Sequence, residues 1–328
     1  MFERSRREEQ RLRSVLHHLT SGRQEQGELW PGGRISRVAG GWNNVLYRVT
    51  GPWGDWAVKF TMRDRRDRAG REYHALRALR QAGLSVAPEP LLLDRRSYAQ
   101  PVVVQTWLQG EASPDPPADD QEWEKLLQHL ATVHSVTPES SPVKLRRATV
   151  DARSVREGRR VIRREAARLP REERPTSLPP LLRRFQAADF PTWSREAVAL
   201  CRADNNILNV IRRPGVWASV DWENAGWGDP AFDVAQLMTH PAYIDVAPRR
   251  WAWVAETTCR MTDDQEMARR IAFYHRCLTV WWVARIARLL YAAPRGLDER
   301  LVDRPVGWKA DMELKYAHYL RLAEELLN

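Results

Sequence analysis

Asp204 is followed five positions later by Asn209, and twelve positions beyond that stands a second aspartate, Asp221. Phosphoryl transfer requires such a set: one carboxylate to orient or accept the hydroxyl proton of an acceptor, and a pair of oxygen ligands for the magnesium that bridges nucleotide phosphates. Asp204 suits the first task, Asn209 and Asp221 the second. A spacing of five recurs by chance, so its weight comes from what lies between. NILNVI and VWASVDW are rich in apolar and β-branched residues and are separated by the turn signal RRPG, which predicts a hairpin. Such a hairpin sets Asn209 beside Asp221, so that two ligands distant in sequence share one metal.

The run resembles the catalytic region of the aminoglycoside phosphotransferase and choline kinase superfamily, small-molecule kinases with a protein-kinase-like fold. Asp204 and Asn209 match its catalytic loop, Val220-Asp221-Trp222-Glu223 its metal-binding run, and Gly228-Asp229-Pro230 with Asp233 the tail. One departure is plain: Arg202-Ala203 replaces the usual His-Gly before the catalytic aspartate, which bears on loop packing and on the class of acceptor. The resemblance implies an α+β bilobal architecture, with an antiparallel five-stranded sheet lobe over residues 1–107 and a mostly helical lobe over 108–328. It implies transfer from ATP or GTP, with Mg²⁺, to the hydroxyl of an aminoglycoside-, choline- or sugar-like acceptor.

Other elements must bring a nucleotide to these groups. From Gly33 the chain passes into short β-type runs, RISRVAGG, NNVLYRVT and DWAVKFT, joined by turns, an antiparallel sheet pattern. In the first turn Gly40 and Gly41, followed by Asn44, allow backbone N–H groups to approach phosphates, because glycine tolerates positive φ and carries no side chain. Lys59 sits in the apolar strand AVKF, the arrangement that carries a lysine to the α- and β-phosphates in kinases. A half-buried ammonium needs a partner. Glu72 is thirteen positions on, in a helix whose apolar face is set by Tyr73, Leu76 and Leu79 and whose stop is Gly83. The resemblance assigns the same pairing. It also makes VVVQTWLQGE the connector between lobes, with backbone groups from Gln105 to Trp107 placed to hydrogen-bond the base.

The remaining chain is read more plainly. Leu12, Val15, Leu16 and Leu19 predict a leading amphipathic helix. QEWEKLLQHLATVHSV predicts a helix with an acidic start, in which His134 is given no catalytic role. Asp229 before Pro230 is a helix N-cap, Asp233 a brace for the catalytic loop, and Glu223 a supporting or metal-side group. Helices are expected around Trp251 to Thr257, Asp263 to Ala292 and Trp308 to Leu327. Trp222, Trp227, Trp281 and Trp282 offer faces for a quaternary ammonium acceptor, or ordinary core filling.

The 328 residues carry a formal charge of +10, and the stretch from Lys144 to Arg184 holds fourteen Lys and Arg against five Asp and Glu. Val155, Ile162, Ala166 and Leu169 form one helical stripe there, which leaves the arginines on a solvated face. An anion- or nucleic-acid-binding module is the rival reading of this stretch, but no recognised nucleic-acid motif accompanies it, so nucleic acid is not an expected partner. A kinase fold altered into a nucleotide-binding regulator is the other rival, supported by Arg202-Ala203. Cys201, Cys259 and Cys277 have no paired spacing and are expected to be thiols in a cytoplasmic protein. No signal peptide is read at the N-terminus, and Arg285 and Arg288 interrupt the most apolar late run, so no membrane span is expected.

Overall fold

The computed structural model describes residues 6–21, 29–30, 33–38, 44–194, 197–298, 301 and 303–328. The leading helix α1 (Arg6–Thr20) buries Leu12, Val15, Leu16 and Leu19, the four residues that its periodicity selects. Strands β1 (Leu29–Trp30), β2 (Gly33–Val38), β3 (Asn44–Gly51) and β4 (Gly54–Thr61) follow, then helix α2 (Arg68–Gln81) and strands β5 (Pro90–Asp94) and β6 (Val102–Thr106). They form one antiparallel sheet in the order β1-β2-β3-β4-β6-β5. The five expected strands are present, and two residues at Leu29–Trp30 add a short sixth at the edge.

The sheet buries both faces. α1 covers one with Val49, Trp56 and Val58. On the other side, α2 packs Ala75, Leu76, Ala78 and Leu79 with Val133, Leu200 and Trp222, so this cluster joins the sheet's helix to the rest of the chain. Tyr73, expected on that face, is only half-buried. Gly83 ends α2 as predicted, at φ +74, where Leu84 N–H reaches back to the Leu79 carbonyl, the geometry of a glycine helix stop.

The helical part contains α3 (Asp120–His134), α4 (Val155–Ala166), α5 (Leu178–Ala187), α6 (Pro230–Thr239), α7 (Pro248–Arg260), α8 (Met267–Ala292) and α9 (Trp308–Leu326). Between α5 and α6 lie four short strands, β7 (Ala199–Cys201), β8 (Val210–Ile211), β9 (Ala218–Ser219) and β10 (Gly226–Gly228). α8 is the central pillar, burying fifteen residues including Phe273, Tyr274, Cys277 and Val283. It begins later than expected because Asp264 folds into a turn, accepting from the Glu266 N–H and pairing with Arg270 at 2.7 Å. α4 buries Val155, Ile162 and Ala166, with Leu169 just beyond, as their stripe predicts. Among the described residues no helix is long and apolar enough to cross a membrane, and all three cysteines are free.

Candidate active site

The predicted hairpin exists in a shorter form. β8 and β9 pair for only two residues each, Val210 with Ser219 and Ile211 with Ala218. The residues before them form a 3₁₀ turn, Ile207–Asn209, because the Asn206 side chain caps it by accepting from Leu208 N–H. The consequence for Asn209 is unchanged: its carbonyl accepts from Val220 N–H at 2.9 Å, immediately before Asp221. Asp221 itself stands at φ +62, a left-handed conformation that aspartate tolerates better than most residues.

Lys59 extends from β4 to meet two carboxylates. Its ammonium lies 2.7 Å from Glu72 of α2 and also contacts Asp221. Lys59 is 6% exposed and Glu72 fully buried, so the Glu72 charge depends on the ammonium beside it. Burial alone would lower the Lys59 pKa, but Asp221, Glu72 and Glu223 outweigh it and hold the ammonium protonated. The sheet, its helix and the 209–221 hairpin thus converge on one cation.

Asp204 follows β7 and is one-quarter exposed. It accepts from Asn206 N–H at 3.2 Å, and Asn224 Nδ2 lies 3.4 Å from its other oxygen. His240 Nε2 is 3.8 Å away. Burial, with the nearby charge of Asp221, raises the Asp204 pKa to about 6. Burial, with Lys315 and Arg202, lowers that of His240 to about 3, so the imidazole beside Asp204 is neutral.

The loop carrying Asp204 is held by Asp233 of α6. Its carboxylate accepts from the Arg202 and Ala203 backbone N–H groups at 3.1 and 2.9 Å, from His134 Nε2 at 3.1 Å, and weakly from Asn205 Nδ2. Burial pushes its pKa up, yet these donors bring it below the ordinary value. Asp229 caps α6 through Ala231 N–H and is itself bonded by Tyr274 and Arg270. Asp229 therefore caps α6 and Asp233 braces the loop, as read from sequence, and His134 belongs to the brace.

Arg202 replaces the usual histidine and is fully buried. Its Nη2 donates to the Val220 carbonyl at 3.2 Å, and its guanidinium lies 5.5 Å from the Trp222 ring centroid. Ala203 occupies the usual glycine position at φ +56. The substitution thus leaves the 202–209 loop tied to the 220–222 run.

The other predicted residues divide. Gln105 is buried in β6 between β4 and β5. The Trp107 N–H is taken by the Asp55 carbonyl and that of Thr106 by the Glu89 carbonyl. These two amides are therefore part of the sheet and are not open to the expected base contacts. Asn44, at the start of β3, donates through Nδ2 to Glu223 at 2.7 Å. Glu223 also binds Arg68. Gly40 and Gly41 lie outside the described residues. Trp222 is core, with its indole N–H on the Ser219 carbonyl, whereas Trp281 and Trp282 line a cleft.

That cleft, of about 650 Å³, has Asp204, Asn205, Asn224 and His240 in its wall. One side is built by residues 146–149, which run against β10: Ala148 N–H donates to the Trp227 carbonyl, and Trp227 N–H to that of Arg146. Gly226 permits this approach, since a Cβ there would stand 2.2 Å from the Arg146 carbonyl oxygen. Thr149 Oγ1 donates to Asn224 Oδ1 at 3.0 Å, linking the wall to Asp204. Asn224 and His240 carry no sequence signal of this role, because only the packing of α6 and β10 brings them to Asp204. Arg160 and Arg164 of α4, and Arg168 just past its end, line the cleft. The expected solvated face of that helix is therefore in part a cavity wall.

A family model described as the phosphotransferase enzyme family matches residues 34–274. No curated protein sequence matches the chain. Among solved structures, a provisionally assigned aminoglycoside phosphotransferase from Ralstonia eutropha is 12% identical, with 97% of this chain and 98% of that one covered at a TM-score of 0.67. A spectinomycin phosphotransferase solved with ADP and spectinomycin is also 12% identical, covering 97% and 98% at 0.61. A choline/ethanolamine kinase family protein from Mesorhizobium loti is 17% identical, covering 97% and 99% at 0.58. At these identities the likeness is one of fold, the bilobal kinase-like arrangement of sheet and helices.

Proposed function

The chain belongs to the phosphotransferase enzyme family, and on that footing we propose that it moves the γ-phosphoryl group of ATP or GTP to the hydroxyl of a small-molecule acceptor. The observation that carries this reading is the convergence of Glu72 and Asp221 on Lys59. This is the arrangement needed to aim an ammonium at phosphates beside a metal ligand. A nucleotide-phosphate complex of magnesium fits the donor chemistry. Asp221 and Asn209 offer hard oxygen ligands at the end of one hairpin, the type that Mg²⁺ takes. When bound, the ion offsets charge on the β- and γ-phosphates.

The protein's own part is positioning. Glu72 orients Lys59, Lys59 holds phosphate oxygens, and Asp204 accepts a hydrogen bond from the acceptor hydroxyl. The acceptor oxygen bonds to the γ-phosphorus as the bond to the nucleoside diphosphate breaks, and the hydroxyl proton passes to Asp204. A carboxylate with a pKa near 6 is better matched to that proton at neutral pH than an ordinary aspartate. The Asn206 N–H and Asn224 fix its orientation, with the neutral His240 beside it. The Gly40-Gly41 turn is assigned to the phosphates, and the backbone from Gln105 to Trp107, apart from the two amides used by the sheet, to the base.

The lobes divide after Trp107, close to the end of β6. Free thiols at all three cysteines suit the reducing cytoplasm. The regulator reading is not favoured, because Arg202 retains a tie to the metal-binding run in place of the usual histidine. A hydroxyl-acceptor screen with ATP and GTP, using Asp204→Ala as the control, tests the proposal. Phosphorylated product from the wild type alone supports it, and equal product from the variant overturns it.

A further inference from the structure

The cleft beside Asp204 has an unusual charge balance, with nine arginines in its lining against five carboxylates. Four of those carboxylates already have cationic partners. Asp151 and Glu157 are bound by Arg147, Glu165 by Arg168, Arg285 and Arg288, and Glu223 by Arg68. Asp204 alone has no lysine or arginine within ion-pair distance among the described residues. A polycationic or quaternary ammonium acceptor would thus find a single carboxylate, the one reserved for the reacting hydroxyl.

Of the nine arginines, Arg66, Arg147, Arg160, Arg168 and Arg285 are paired with carboxylates, and four are not. The Arg71 and Arg146 side chains bond only main-chain carbonyls, and the side chains of Arg65 and Arg164 have no ion pair or hydrogen bond among the described residues. Burial, with the adjacent Arg146, lowers the Arg71 pKa to about 10, and Asp67 and Asp64 offset this only in part. Arg160 and Arg164 lie one helical turn apart on α4 and face the cavity that Arg146 borders. Lys59, Asn209 and Asp221 are not in its lining, so the excess lies on the acceptor side of Asp204.

Resting on the kinase reading above, we infer that the acceptor is an anion: an alcohol bearing a phosphate ester, seated against Arg146 and Arg164 with its hydroxyl toward Asp204. Guanidinium groups bind phosphate oxygens in paired hydrogen bonds. Several converging on one cleft match a doubly charged ester better than a single carboxylate. Trp281 and Trp282, with Leu278, supply an apolar flank for the carbon skeleton. The product would then carry a second phosphoryl group.

The test is calorimetric titration of inorganic phosphate into the full chain holding Mg²⁺ and a nonhydrolysable nucleotide, for wild type and Arg146→Gln/Arg164→Gln. Both side chains are exposed, and thermal melting checks that the variant folds. Saturable phosphate binding is expected, weakened at least tenfold in the double variant, with nucleotide affinity within twofold of wild type. No saturable binding, or binding unchanged by the substitutions, overturns the inference. So does tighter binding of choline or spermine than of phosphate, or competition by an oligonucleotide whose affinity grows with its length. A sugar phosphate that competes and is phosphorylated marks the ester as the ligand, whereas free phosphate competing while no ester does overturns the acceptor assignment. Nucleotide binding, read in the same experiment, reports separately on the kinase reading.

Discussion

The Arg202 guanidinium donates to the Val220 carbonyl at 3.2 Å, and so fastens the loop that carries Asp204 to the residue preceding Asp221. Two of its nitrogens, Nε and Nη1, are buried without a hydrogen-bond partner, a costly way to make one bond. Arg202→Met is therefore expected to hold stability within about 1 kcal/mol of wild type, or improve it. The same change should lower kcat about tenfold, the cost of a small misplacement. Steady-state kinetics beside urea unfolding measure both, and full activity would show that the tie is dispensable.

Lys59 and Glu72 form a buried pair 2.7 Å apart. Lys59→Met leaves Glu72, with no exposed surface, beside an apolar side chain, which should cost about 3–5 kcal/mol. Lys59→Met/Glu72→Leu should recover most of that loss, while both variants lose nucleotide affinity. Chemical unfolding with nucleotide titration separates the two effects. A double variant no more stable than the single one would contradict the assignment.

Asp204 bears a pKa raised to about 6 by burial and Asp221. Its charge is penalised in the folded protein at pH 7, and the penalty lifts as pH falls through 6 toward the ordinary carboxylate value. Asp204→Asn should therefore stabilise the protein by about 1–2 kcal/mol at pH 7 and give no gain near pH 4, while abolishing transfer. In the wild type, kcat/KM should fall about tenfold per unit below pH 6. Thermal melts across pH and a pH–rate profile check the two halves.

Ala203 holds φ +56 where the family pattern has glycine. Left-handed backbone costs alanine about 1–2 kcal/mol, partly offset by the greater flexibility of unfolded glycine. Ala203→Gly should raise the melting temperature by about 1–2 °C, and a fall would show that the loop favours alanine.

What the sequence made legible were relationships carried by local pattern. The apolar strand around Lys59, the helix holding Glu72 and the turn between Asn209 and Asp221 all announce themselves through spacing, and the structure joins them as expected. The hairpin came out shorter because the Asn206 side chain caps a 3₁₀ turn in place of extended strand. Contacts set by tertiary packing were hidden. His240 and Asn224 reach Asp204 only after α6 and β10 are placed, and periodicity puts Arg160 and Arg164 on an outer helix face without showing that the face borders a cleft. The Trp107 amide looked available until pairing with Asp55 consumed it.

The central claim is that Lys59, Glu72, Asn209 and Asp221 hold a magnesium-bound nucleoside triphosphate. Its most direct test is calorimetric binding of ATP and GTP, with and without Mg²⁺, to wild type and Asp221→Ala. Magnesium-dependent binding of at least one nucleotide, lost in the variant, is the predicted result. No binding of either nucleotide to the wild type under any of these conditions, or magnesium-dependent binding that survives Asp221→Ala, would contradict it.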